Sequence, residues 1–368
     1  MFSPSTGSGD AEERVKRLSL GERHGKFGTG RPGPPEEKEM RSFMGLTLAF
    51  IAAAVVTLVV LYRMPPVLAL EREARIAAGS SPDAVETLIA EGEDKAGAIR
   101  RGLTKQIVWA DATRRQKTPL SVIYVHGFSA SPAEVRPLPD LVAKALGANL
   151  FFTRLTGHGL DDPDALGLAT IEDWAGDIGE ALTVGKLLGE RVVVISTSTG
   201  ASLVTWALAR PTLADHVAAT IFLSPNYGVQ ASGSFLLTGL FGTQIARLLL
   251  GERRGFEPIS PLNAYNWTTD YPVTALIPMA QSVRLAAHTP VENIRVPALF
   301  IQSANDKVVR PDRTAAVAAR WGGPHQLIDP GPTGDANNHV LAGDTYSPLT
   351  TEPIAKTILN WLGEQGVR

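Results

Sequence analysis

The segment most able to do chemistry is Ser196-Thr197-Ser198-Thr199-Gly200, which follows the apolar run Arg191-Val-Val-Val-Ile195 directly. A serine held on a sharp turn from strand to helix presents its Oγ clear of the backbone. Small residues two before and two after it let the turn close. Ser196 stands where such turns usually carry glycine. The helix that follows supplies N–H groups and a partial positive charge where an oxyanion would form. The same residues would also suit a Ser/Thr-rich turn that caps a helix.

A serine hydroxyl is a weak nucleophile at neutral pH and needs a base within hydrogen-bond reach. The chain holds seven histidines. His339, in Asp335-Ala-Asn-Asn-His339-Val-Leu341, lies between the last expected strand and the final helix, at the sheet edge expected to carry Ser198. His24 falls in a polar tail, and His126 precedes a turn, which suits a structural role. His158, in Leu155-Thr-Gly-His158-Gly159, is placed to buttress a neighbouring loop. His216, His288 and His325 fall in a helix-to-strand link, at a helix end and before a late strand. An acid that orients the imidazole should leave an earlier strand end. Asp306, in Ser303-Ala-Asn-Asp306-Lys-Val-Val309, does so two strands after the nucleophile strand. It would also suit an Asx-turn, and Asp335 and Asp344 are rivals on the His339 loop. The two oxyanion donors expected are the N–H of Phe128, in His126-Gly127-Phe128-Ser129-Ala130, and that of Thr199.

These residues need elements to position them. Apolar, β-rich runs occur at 106–110, 121–125, 149–152, 191–195, 218–223, 298–302 and 326–328. Amphipathic stretches at 132–146, 171–188, 201–209, 313–320 and 352–362 separate them. Short apolar strands alternating with helices predict an α/β fold, a mostly parallel central sheet flanked by helices on both faces. Right-handed crossovers bring the strand C-terminal ends to one edge, where ligands bind. The interval 225–292 breaks the alternation. Phe235, Leu236, Leu237, Leu240, Phe241, Ile245, Leu248 and Leu249 fall mostly at helical spacing, and a second helical pattern runs over 273–287. This predicts an inserted helical cap. Phe235, Phe241 and Leu248 are candidates to line an acyl pocket, although packing of the cap on the core would use them equally well.

Ser198, Asp306 and His339 occur in the chain order of the α/β-hydrolase triad. From about 118 to 365 the chain resembles the α/β-hydrolase superfamily, in the branch of carboxylesterases and monoacylglycerol lipases. The resemblance rests on His126-Gly-Phe128, Gly157-His-Gly159, Ser196-x-Ser198-x-Gly200, Ser303-x-x-Asp306-x-Val-Val309 and His339-Val-Leu341. It implies an oxyanion loop, a loop buttress, a nucleophile, an acid and a base at those positions. It further implies a serine hydrolase that takes a small acyl ester and needs no metal or organic cofactor. Other acyl transfers on the same three residues remain open: thioester, aminopeptidase-type amide and lactone cleavage. So does a non-catalytic binding protein on the same fold.

Composition narrows the classes further. With 35 Lys+Arg against 37 Asp+Glu, the 368-residue chain has a net charge of −2, which gives no field for a nucleic-acid partner. The absence of cysteine excludes disulfides, thiol catalysis and thiolate metal sites. Residues 1–42 are rich in Gly, Pro and mixed charge and are expected to be a disordered polar tail. Residues 43–62, FMGLTLAFIAAAVVTLVVLY, carry no charge and at ~1.5 Å per residue are expected to cross the ~30 Å bilayer core once. A cleaved leader beginning at Met40 is the rival. Arg23, Lys26, Arg31, Lys38 and Arg41 precede the run, and Arg63, Arg72 and Arg75 follow it. That bias predicts a cytoplasmic N-terminus with the catalytic domain outside. Residues 63–100 read as a stalk and lead-in to a domain over 101–368. A membrane-anchored assembly factor, with the 1–40 tail as its working part, is a further reading. The sequon Asn266-Trp-Thr268 has meaning only in a eukaryotic secretory route.

Overall fold

The computed structural model describes residues 37–63, 68, 81–239 and 241–368. The chain divides into two units, Met1–Leu61 and Tyr62–Arg368. The first holds most of helix α1 (Glu37–Arg63). Residues 1–36 of the expected tail, much of the expected stalk and Leu240 lie outside the described residues.

The expected single-pass span over 43–62, and the localisation built on it, are overturned. The stretch is helical within α1, but among the described residues no helix is long and apolar enough to cross a membrane. The described side chains of α1 are those at 40–54, 56 and 57. With the span goes the basis for placing the catalytic domain outside.

The second unit begins with α2 (Pro82–Asp94), capped by the Ser81 hydroxyl, which accepts the Ala84 N–H. The main elements then follow as β1 (Gln106–Val108), β2 (Thr118–Val125), α3 (Leu138–Leu146), β3 (Asn149–Phe152), α4 (Ile171–Leu188), β4 (Gly189–Thr197), α5 (Ser198–Leu208), α6 (Pro211–Ala214) and β5 (Val217–Leu223). After them come α7 (Gly242–Leu250), β6 (Arg253–Gly255), α8 (Pro261–Asn266), β7 (Asp270–Pro272), α9 (Leu276–Ala287), β8 (Ala298–Ile301), α10 (Pro311–Ala318), β9 (His325–Ile328) and α11 (Pro348–Glu364).

Seven strands form one sheet in the order β1-β3-β2-β4-β5-β8-β9. Every pairing in it is parallel except β1 with β3. β4 is central, and its side chains alternate between the two faces, as the pleat requires. Val192 and Val194 join one core with Trp174, Ile178 and Leu203 from α4 and α5. Val193 and Ile195 join the opposite core with Leu138 and Val142 of α3 and Ile358 and Trp361 of α11. Burial on both faces explains the unbroken apolar run. Each such side chain contributes about 1.5–3 kcal/mol by leaving water.

Three details differ from the sequence expectations. The helix expected at 132–146 starts only at Leu138, because Ser131–Pro137 are taken up by turns that feed the site. The interval 225–292 is not wholly helical: β6 and β7 pair as an antiparallel hairpin within it. Arg253 ties the hairpin together through Asp270 at 2.8 Å. Third, β1 runs against its neighbour β3.

Candidate active site

β4 ends in the middle of the sheet, and α5 starts at the next residue, Ser198. No connector separates them, so the backbone must turn within one residue. Ser198 does this with φ +51°, in the left-handed region. Ser129 (φ +57°), Ser224 (φ +44°) and Asn338 (φ +52°) adopt the same region. They lie in the loop after β2, at the end of β5 and next to His339. Each costs of the order of 1–3 kcal/mol, and such strain collects where a fold must aim side chains.

Gly200 lets the turn close against β2. A Cβ there would meet the His126 carbonyl oxygen at 2.5 Å and that of Val125 at 2.7 Å. Backbone cannot retreat as a side chain can. Gly200→Ala is therefore expected to lower stability by about 1–3 kcal/mol. A denaturant-unfolding midpoint checks this. Ser196, in the usual glycine position, is accommodated as an ordinary strand residue. It pairs with Val125 and Phe222 and is fully buried.

Three of the candidates meet. His339 Nε2 lies 3.1 Å from Ser198 Oγ, and its Nδ1 lies 2.8 Å from Asp306 Oδ2. With Nδ1–H donating to the carboxylate, Nε2 is left bare to accept the serine proton. Asp306 is held firmly. Its Oδ1 accepts the N–H groups of Val308 and Val309 at 2.8 and 2.9 Å, and Gln302 Nε2 donates to Oδ2 at 3.0 Å. Gln230 Nε2 fixes the same loop from outside through the carbonyls of Asp306 and Val309. Asp335 is not part of this chain. Its carboxylate accepts the N–H groups of Asn337, His339 and Val340, which sets the loop that carries the imidazole. Asp344 donates its backbone N–H to the Arg136 carbonyl.

Protonation follows from these contacts. Burial alone would push the His339 pKa down. The hydrogen bond and charge of Asp306, with the charges of Glu134 and Asp335, more than reverse that, so it lies above 6.5. Burial would raise Asp306, but the imidazole and the two N–H groups hold it below 3.8. Burial pushes His126 down to about 4 and His158 well below the usual imidazole range, so both are neutral.

Neutral His126 orients the loop after β2. Its Nδ1–H donates to the Gly127 carbonyl at 2.8 Å, and its Nε2 accepts the Leu155 N–H at 3.0 Å. A planar trans peptide with its carbonyl turned toward His126 points the Phe128 N–H the opposite way. The Cβ site of Gly127 is only 3.1 Å from Ser198 Cβ, so this loop abuts the serine. Thr199 is the second residue of α5, where N–H groups have no carbonyl four residues back. The His158 ring packs 4.9 Å from His126, between Phe128 and Trp174. The Arg154 guanidinium, paired with buried Glu93 of α2, holds the His158 carbonyl at 2.9 Å.

Phe235, Phe241 and Leu248 are 57, 64 and 84 % exposed, so none of them is buried in an acyl pocket. Helical spacing had identified an apolar face without telling which way it points. Gln302, Gln230, Tyr124 and Glu134 went unnoticed in the sequence, since only tertiary packing brings them to the site.

The sequence pattern of the alpha/beta hydrolase family matches residues 122–353. A thermostable monoacylglycerol lipase from Bacillus sp. (strain H-257) is 30 % identical over 200 residues, covering 52 % of this chain and 73 % of that protein. Among solved structures, that of the metagenome-derived lipolytic enzymes LipS and LipT aligns with a TM-score of 0.57 at 20 % identity, over 72 % of this chain and 99 % of that one. The monoacylglycerol lipase of Paleococcus ferrophilus aligns with a TM-score of 0.51 at 15 % identity, over 72 % and 99 %. At these identities the structures speak for the fold alone, whereas the matched pattern covers well over half the chain. The protein belongs to the alpha/beta hydrolase family, in its esterase and monoacylglycerol lipase-like branch.

Proposed function

We propose that the protein hydrolyses carboxylic esters through an acyl-enzyme on Ser198. The observation that carries this reading is the continuous run of hydrogen bonds from Ser198 Oγ through His339 to Asp306, at 3.1 and 2.8 Å. In the first half-reaction His339 Nε2 takes the Ser198 proton as Oγ attacks the ester carbonyl. The N–H groups of Phe128 and Thr199 receive the negative oxygen; losing one donor of this kind costs about 3–4 kcal/mol of transition-state stabilisation in comparable sites. The imidazolium then protonates the leaving alcohol as the C–O bond breaks. In the second half, Nε2 takes a proton from water, hydroxide attacks the acyl carbonyl, and the acid leaves as Ser198 regains its proton. Side chains and backbone N–H groups carry every proton and charge in this cycle.

The monoacylglycerol lipase relative favours a small acyl ester as substrate. Residues 101–368 would form the catalytic domain and 225–292 its cap. The test is turnover of p-nitrophenyl esters of graded chain length beside matched thioesters and aminoacyl amides. Esters are expected to give the highest kcat/KM. A preference for thioester or amide by tenfold or more contradicts the ester assignment and leaves the fold unaffected.

A further inference from the structure

One ionisable group beside the site has no role in the cycle above. Glu134 follows the oxyanion loop and is 3 % exposed. Its Oε2 accepts the Gly127 N–H at 2.8 Å and the Tyr124 hydroxyl at 2.7 Å. The same hydroxyl lies 3.1 Å from Thr197 Oγ1, on the residue before Ser198. Glu134 Oε1 lies 2.9 Å from the Cβ site of Gly127, which itself lies 3.1 Å from Ser198 Cβ. A carboxylate, the end of β2 and the serine therefore form one packed unit.

Bracing alone does not require a charge. A neutral amide oxygen would accept the same two hydrogen bonds without the several kcal/mol that burying a carboxylate costs. Here the partners are a hydroxyl and an amide. Burial raises the Glu134 pKa, while the hydrogen bonds from Tyr124 and Gly127 and the positive charge that His339 takes on with the serine proton favour the carboxylate, which packs toward that imidazole through Gly127 and Ser198.

We propose that Glu134 is a positioning residue of the hydrolysis: it ties the oxyanion loop to the strand end that bears the nucleophile, and its carboxylate stabilises the imidazolium of His339. The proposal rests on the Ser198 reading. The charged groups facing His339 are Asp306 from the loop after β8, Asp335 from its own loop and Glu134 from the loop after β2. Asp335 already accepts three N–H groups, and Asp306 already receives the imidazole N–H directly. Tyr346 feels both Asp335 and Glu134, and burial and those charges keep its phenol neutral. Glu134 is thus the charge of the set that touches the imidazole neither directly nor through its own loop.

The sign of its effect follows. A negative charge favours the protonated imidazole, so removing it lets His339 stay neutral to lower pH. Glu134→Gln should move the acid limb of kcat/KM about half to one pH unit lower. It should also reduce kcat about 5- to 20-fold, because the imidazolium of the transition state loses support, with KM within about twofold. A residue that only filled space would not shift the limb. Tyr124→Phe removes the hydroxyl donor that favours the ionised Glu134, so less of the carboxylate is charged and the limb should move in the same direction by less. It supplies the same readout if Glu134→Gln does not fold. An unmoved limb with kcat within twofold in a folded variant overturns the proposal. Ser198→Ala separates the two levels. If it retains ester hydrolysis, the parent reading falls. If it abolishes hydrolysis while Glu134→Gln behaves as wild type, only the role of Glu134 falls.

Discussion

Ser198→Ala, His339→Ala and the double variant are each expected to lose about 10⁵- to 10⁶-fold in kcat, by nearly the same amount. In the proposed cycle the nucleophile and its base form one device. Without the imidazole, Oγ keeps its proton; without Oγ, the imidazole can only assist water. Once either is gone, removing the other takes away little more. The residual rate comes from the two oxyanion donors and substrate binding. Both single variants should fold. Ser198→Ala keeps the Cβ that the turn already accommodates at φ +51° and removes only the Oγ contact with His339, and Asp306 keeps its bonds from Val308, Val309 and Gln302 when the imidazole is absent. Steady-state kinetics with thermal melts checks this. Losses that multiply in the double variant would mean two independent devices.

Asp306→Asn should lower kcat about 10⁴-fold. The introduced amide is nearly the same shape, but it presents a donor as well as an acceptor to Nδ1. His339 is then free to carry its proton on Nε2, facing Ser198, where it cannot act as a base. The pH profile gives a second readout with a definite sign. In the wild type the His339 pKa lies above 6.5, so kcat/KM is lost as pH falls through a midpoint above that value. Burial opposes that rise, and Asp306 is the largest of the groups that produce it. Without its charge, burial prevails and the limb moves to lower pH. A stability effect runs alongside. Asp306 is held below 3.8, so its contribution to folding is present at neutral pH and fades as pH falls through its folded value. A fall of kcat by less than tenfold would argue that another acid orients His339.

Much of this site was legible because its chemistry follows chain order. A buried strand entering a small-residue turn marks Ser198, and two later strand ends carry Asp306 and His339. The run Arg191–Ile195 read as buried on both faces because the helices α4 and α5 on one side and α3 and α11 on the other leave no side of β4 to water. What stayed hidden depends on contacts between distant segments. Nothing local marks Glu134 as buried, since its surroundings come from β2, the turn of Gly127 and the His339 loop. The direction of β1 was equally unreadable, because an apolar run carries no polarity. The β6–β7 hairpin lacks β-branched alternation and is held instead by an exposed ion pair between Arg253 and Asp270. For Phe235, Phe241 and Leu248 the spacing showed a face, and exposure then fixed its side. The uncharged run over 43–62 read as a span from its length and lack of charge, and that expectation did not survive the structure.

The most direct measurement is active-site labelling of the folded 368-residue chain with a fluorophosphonate, followed by peptide mass spectrometry. One adduct is expected, on Ser198, absent in Ser198→Ala and formed far more slowly in His339→Ala. An adduct on a different residue, or none at all on a protein that still unfolds cooperatively, would contradict the assignment of Ser198 as the nucleophile.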